Sequence, residues 1–130
     1  MTGQNKSVDL WCLKAENDLK NARHEVEHED PALDTVCFHA QQAAEKYLKA
    51  YLVFHDCEIT KTHVLIRLIR NCIEIDDAFQ DLVQKEIDML TDYAVDLRYA
   101  EDFYMPPIEE AREAIKKAEF VKQFVLDRLV

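Results

Sequence analysis

The chain has 130 residues, with 26 acidic against 16 basic side chains and a formal net charge of −10. That balance argues against a broad basic surface for nucleic acid, though not against a local basic cleft. One Gly and three Pro leave few places to turn, so a few long helices in a single domain spanning 1–130 are expected, and no apolar run is long enough to cross a membrane.

The opening MTGQNKSVDLW lacks the basic and apolar regions of a signal peptide. Cys12, Cys37, Cys57 and Cys72 form no C-x-x-C pair, so reduced cysteines in a cytoplasmic protein are expected. The first helix is read from about Ser7, as N-cap, to Glu27. Trp11, Ala15, Leu19, Ala22 and Val26 form its inward stripe, and Glu29-Asp30-Pro31 ends it. Thr35–His55 has neither Gly nor Pro. Its Val36, Cys37, Ala40, Ala43, Ala44, Tyr47, Leu48, Tyr51 and Leu52 cover roughly half the circumference of a helix, too wide a face for one neighbour, so this is the central helix. Gln42, Glu45, Lys46 and Lys49 fall opposite and read as its solvated side. Asp56-Cys57-Glu58 breaks the pattern. Thr62 caps a third helix over about His63–Ile75. A fourth spans about Ala78–Arg98, burying Phe79, Leu82, Val83, Ile87, Leu90, Ala94 and Leu97. A loop through Pro106-Pro107 leads to the last helix, about Ile108–Leu129, with Pro107 near its N1 position. Phe38, Phe120 and Phe124 fall off the inward stripes, which points either to a subunit interface or to extra burial within the bundle.

His24-Glu25-Val26-Glu27-His28 matches both H-E-x-x-H and H-x-x-E-H, patterns in which two His one turn apart hold zinc. On the helical wheel, however, His24 points roughly 170° from the inward stripe, and His28 lies at the helix end beside Glu29 and Asp30. The geometry rejects a zinc site and no cofactor is implied. His39 and His63 read as hydrogen-bonded core or helix-end residues. The most chemical stretch is Asp92–Tyr104, where Arg98 at the rim of the fourth helix is suited either to an anion, bidentately, or to a salt bridge with Asp96, Glu101 or Asp102.

Phe38-His39-Ala40-Gln41-Gln42-Ala43-Ala44-Glu45-Lys46-Tyr47-Leu48-Lys49-Ala50, then Thr62-His63-Val64-Leu65, then the pair Arg98-Tyr99, resemble the signature of HEPN domains over essentially the whole chain. The resemblance implies an all-α fold, a five-helix up-and-down antiparallel bundle that pairs as a homodimer. It is also similar to the C-terminal domain of kanamycin nucleotidyltransferase. Minimal HEPN proteins are commonly encoded beside a minimal nucleotidyltransferase in toxin–antitoxin-like systems, and many HEPN proteins are metal-independent endoribonucleases. Their motif is Arg, four to six residues, then His.

Here Arg98 carries over and the His does not; Tyr104 holds the five-residue spacing, but a phenol titrating near 10 is a poor base at pH 7. The expected function is therefore a HEPN subunit supplying a nucleotide or substrate surface to a minimal nucleotidyltransferase, without chemistry of its own. Arg98, Tyr99, His39 and His63 are its binding candidates, with nucleotide or RNA as ligand. The alternative is an endoribonuclease toxin, active or degenerate, with Arg98 and, more weakly, Tyr104 as its catalytic candidates.

Overall fold

The computed structural model describes residues 3–94 and 103–130. Helices α1 (Gly3–Val26) and α2 (Leu33–Phe54) form an antiparallel hairpin with the largest helix–helix contact in the molecule. Trp11 lies by Lys49, Glu16 by Tyr47, and Asp18 by Lys46 and His39. Fully buried Ala15 and Ala22 of α1 and Ala40, Ala43 and Ala44 of α2 let the two backbones approach closely. Nothing in Gln4–Lys6 stops a helix, so α1 starts at Gly3, and Ser7, expected as its cap, lies a turn inside.

At the far end of α2, Asp56 takes a left-handed conformation (φ 60°) and Cys57 N–H donates to Leu52 O. Residues 56–64 then run back along α2 without helical structure, bringing His63 beside Gln41 and Glu45. Helix α3 (Leu65–Ile75) starts there. Thr62 does cap the turn, its Oγ1 accepting from Val64 N–H at 3.1 Å, but the helix proper begins two residues later than expected.

The expected fourth helix is broken. A 3-10 turn, Asp77–Phe79, capped by Asp76, leads into the short α4 (Gln80–Gln84), and a second 3-10 segment covers Ile87–Tyr93. Between them Glu86 has φ 58°. In an unbroken helix Glu86 shares a face with Leu82 and Leu90, four residues either side. The left-handed residue turns Glu86 out to solvent and brings Ile87 to full burial. Ala94 is buried; Leu97 lies outside the described residues.

Helix α5 (Ile108–Leu126) packs antiparallel to α1, with Arg112 by Glu27, Glu119 by Arg23 and Lys122 by Glu16. Pro107 is its N-cap rather than N1, and Glu109 and Glu110 occupy the first turn, where the dipole favours them. Counting the extended return after α2 as a leg, successive legs alternate in direction. The class is an all-helical bundle.

The core joins all five helices, with Tyr47, Leu48, Leu52, Leu68, Ile69, Phe79, Leu82 and Ile87 at its centre. Phe124 belongs to it: its ring is edge-on to Phe79 at 4.8 Å, and the Arg128 guanidinium lies 3.6 Å from the ring centroid. Phe120 and Phe38 are half-buried, Phe120 packing against Phe124 and under Lys85. Helix 5 therefore buries a wider face than its aliphatic stripe indicates, and two of the three displaced phenylalanines serve the monomer's own aromatic cluster.

Candidate functional site: polar ridges of the central helix

Helix α2 is buried almost all the way round, the expected solvated side included. Gln41, Glu45 and Lys49, one turn apart, have only 0, 3 and 8% of their surface exposed. Each polar group there is answered, as burial demands. The Glu45 carboxylate accepts from Lys49 Nζ at 2.8 Å, from Gln41 Nε2 at 3.1 Å and from His63 Nδ1 at 2.8 Å. Gln41 Nε2 also donates to His63 O at 3.2 Å, and Gln42 Nε2 to Gln41 Oε1 at 2.7 Å. Lys49 lies 5.6 Å from the centre of the Trp11 ring, an additional attraction for the buried ammonium. His63 is thus held at two points, by its ring and by its backbone carbonyl.

A second ridge faces α1. Asp18, 8% exposed, meets His39 Nδ1 at 2.8 Å and Lys46 Nζ at 2.5 Å. Glu16 lies between three helices and accepts from Tyr47, Arg23 and Lys122. Burial pushes its carboxyl up, but the bonds from Lys122 and Arg23 outweigh this and hold it below the usual carboxylate range. The Tyr47 phenol is pushed far up by burial and by the Glu16 charge.

The third cluster lies where α2 and α5 begin. Tyr93 and Tyr104 hydroxyls both donate to Glu110, Tyr104 at 2.9 Å. Burial, then the bond to Glu110, raises Tyr93 strongly, and burial with the Glu110 charge pushes the nearby Cys37 thiol up to about 12. Cys72 is raised by burial as well, so both buried thiols are unreactive. A cleft of about 300 Å³ opens here, lined by Tyr93, Tyr104, Asp92, Glu110, Glu113 and Lys117 among others. Its carboxylates outnumber its one ammonium.

The structure treats the expected site residues differently. His39 and His63 each hydrogen-bond a buried carboxylate, as expected of hydrogen-bonded core or helix-end residues, but on two different ridges. Neither carboxylate was legible as a partner, since Asp18–His39 and Glu45–His63 span 21 and 18 residues. Tyr104 is exposed and bonded to Glu110. Arg98 and Tyr99 lie outside the described residues. The chain reaches that segment at Ala94, just after Thr91, whose Oγ1 accepts from Leu65 N–H at 3.0 Å beside His63. His24 and His28 are both exposed at the end of α1, and no cluster of three metal-ligand side chains occurs among the described residues.

No curated relative matches the chain in sequence. Two crystal structures share its fold. ST0689, an archaeal HEPN homologue, superposes with a TM-score of 0.74 at 25% identity, covering 95% of this chain and 98% of its own. TT1696 from Thermus thermophilus gives 0.76 at 26% identity, covering 92% and 96%. The HEPN domain matches residues 8–129, from the buried Val8 of α1 to just past the end of α5, and the chain belongs to the HEPN domain family.

Proposed function

We propose that this HEPN chain is a nucleotide-binding subunit that partners a minimal nucleotidyltransferase and does not itself cleave RNA. One observation carries the reading. A His separated from Arg98 by four to six residues would stand at Phe103, Tyr104 or Met105, and all three are exposed, with the Tyr104 hydroxyl on Glu110 in a cleft dominated by carboxylates. Those positions offer no proton-transfer group suited to neutral pH, a deficit worth typically 10²–10⁴ in rate. The surrounding carboxylates also oppose the approach of an RNA phosphodiester. A net charge of −10 favours a basic protein partner in the same way.

The test separates partnership from cleavage. Purified chain incubated with single-stranded RNA should leave it intact, and co-expressed with a minimal nucleotidyltransferase it should elute as a stoichiometric complex. Arg98→Ala should weaken that complex without shifting the melting temperature. RNA cleavage that disappears in Arg98→Ala would overturn this reading in favour of the ribonuclease.

A further inference from the structure

We infer that the cleft between Tyr93, Tyr104 and α5 is a seat for an arginine side chain on the surface of a protein partner. The inference rests on the partnership reading above and deepens it, naming the surface of this chain that the partner engages and the chemistry that holds it there. Its first support is the shape and lining of the cleft. At about 300 Å³ it has room for one long side chain and not for a folded domain. Met89, Leu90, Tyr93, Tyr104 and Ala114 give it apolar walls. Met89 and Tyr104 are exposed, so the cleft opens on a surface that is itself apolar and aromatic.

The second support is charge complementarity. Asp92, Glu110 and Glu113 share the cleft with one cation, Lys117. Lys117 Nζ is turned to the main chain, 3.3 Å from Glu86 O, and no ion pair joins it to Glu110 or Glu113 among the described residues. Glu113 is exposed and has no hydrogen-bond or ion-pair partner among the described residues. Glu110 takes one hydroxyl from each tyrosine, which leaves about two of its acceptor positions open. Glu110 and Glu113 are three apart on α5, hence neighbours on its surface. A guanidinium suits this set: its flat face lies against a phenol ring while its fork of N–H donors reaches the two carboxylates. An ammonium offers neither the plane nor the fork. No three metal-ligand side chains cluster among the described residues, so the carboxylates are spread along the cleft and not gathered around an ion. That spread fits an elongated organic cation.

The test starts with the free chain. N-acetyl-arginine amide should shift the backbone amide NMR signals of Glu113, Ala114 and Lys117, with a Kd on the order of 1 mM for so small a probe. Added salt should weaken it, and N-acetyl-glutamine amide should shift nothing. Glu113→Lys should abolish the shifts and weaken the nucleotidyltransferase complex roughly tenfold or more through like-charge repulsion. Glu113→Gln should fall between that variant and wild type, and both should melt with wild type because Glu113 is exposed. Glu109→Lys makes the same charge change one turn earlier on α5, outside the cleft, and should do neither. Equal losses in Glu109→Lys and Glu113→Lys would reduce the effect to net charge and overturn the seat. Shifts seen only in Arg98→Ala would make the chain's own arginine the occupant, which also overturns it. A Glu113→Lys chain that changes its own oligomeric state while the complex is untouched would assign the cleft to a second copy instead. A complex indifferent to Glu113→Lys removes this inference and leaves the partnership standing. Capped arginine bound at Glu113, with no nucleotidyltransferase complex, keeps the seat and removes that partner.

Discussion

Glu16 shows how much one side chain decides. It takes hydrogen bonds from α1, α2 and α5, the one from Lys122 reaching across 106 positions of sequence. Its folded pKa is held below the ordinary value, against the effect of burial, by Lys122 and Arg23. A depressed folded pKa means the ionised carboxylate stabilises the fold above its unfolded pKa of about 4.3, and this is lost as pH falls through the folded value. Glu16→Gln should therefore lower the melting temperature at pH 7, and the gap to wild type should close as the pH is taken towards about 3. Melting curves across that range check it; a gap independent of pH would assign the effect to shape and not to charge. The inward place of Tyr47 was legible from helical spacing. The role of Glu16 was not, because nothing local in the sequence distinguishes a carboxylate that meets two cations from one that meets water.

At the scale of elements, two departures from the periodic pattern have definite causes. Helical spacing alone puts the polar side of α2 in solvent, since Gln42, Glu45, Lys46 and Lys49 lie opposite its apolar face. The return segment 56–64 and α1 cover that side, and the ladder Gln41–Glu45–Lys49 survives burial because every member finds a partner. Spacing alone predicts a continuous fourth helix, since Leu82, Leu90 and Ala94 keep helical spacing. Continuity would have put Glu86 in the core. The left-handed residue avoids this, and a non-glycine there costs about 1–2 kcal/mol, less than burying an unpaired carboxylate. Glu86→Gly should consequently fold with stability unchanged or higher by up to about 1 kcal/mol, relief of strain offsetting the extra chain entropy. Glu86→Val should be less stable by about 1–2 kcal/mol, since a β-branched residue tolerates this conformation worst. Urea unfolding of the two variants checks the pair, and equal losses in both would show that the Glu86 side chain itself matters.

For the whole molecule, the surface is as informative as the core. Phe103, Tyr104 and Met105 are consecutive and 60, 46 and 49% exposed, with Met89 at 57%. Single exposed apolar residues are ordinary, but a run of three is not. With Phe124 absorbed into the core, this run is the surface on which a homodimer is expected to pair. Sedimentation at micromolar concentration should show a species of about twice the 15.2 kDa chain mass, and replacing Phe103 and Met105 with Ser should shift it towards the monomer with little loss of helicity. A wild-type chain that sediments as a monomer would refute the dimer.

Composition and spacing by themselves determined that this protein is an all-helical bundle organised around α2. The scarcity of Gly and Pro permits little else, and a half-circumference of apolar residues at helical spacing has to be buried on several sides. They also determined that His24 stands outward, because a helical wheel needs only the helix, and that His28 falls at the helix end. Tertiary structure alone decided the rest. Covering the polar side of α2 depends on a segment that passes back over it, and no periodicity encodes that path. The pairing of His39 with Asp18 and of His63 with Glu45 depends on where separate elements meet. Burial of Phe124 depends on Phe79 and Arg128 arriving from other parts of the chain. Helical periodicity is a local property and is written along the sequence; the partner of a buried charge is set by distance in space, which only the folded chain supplies.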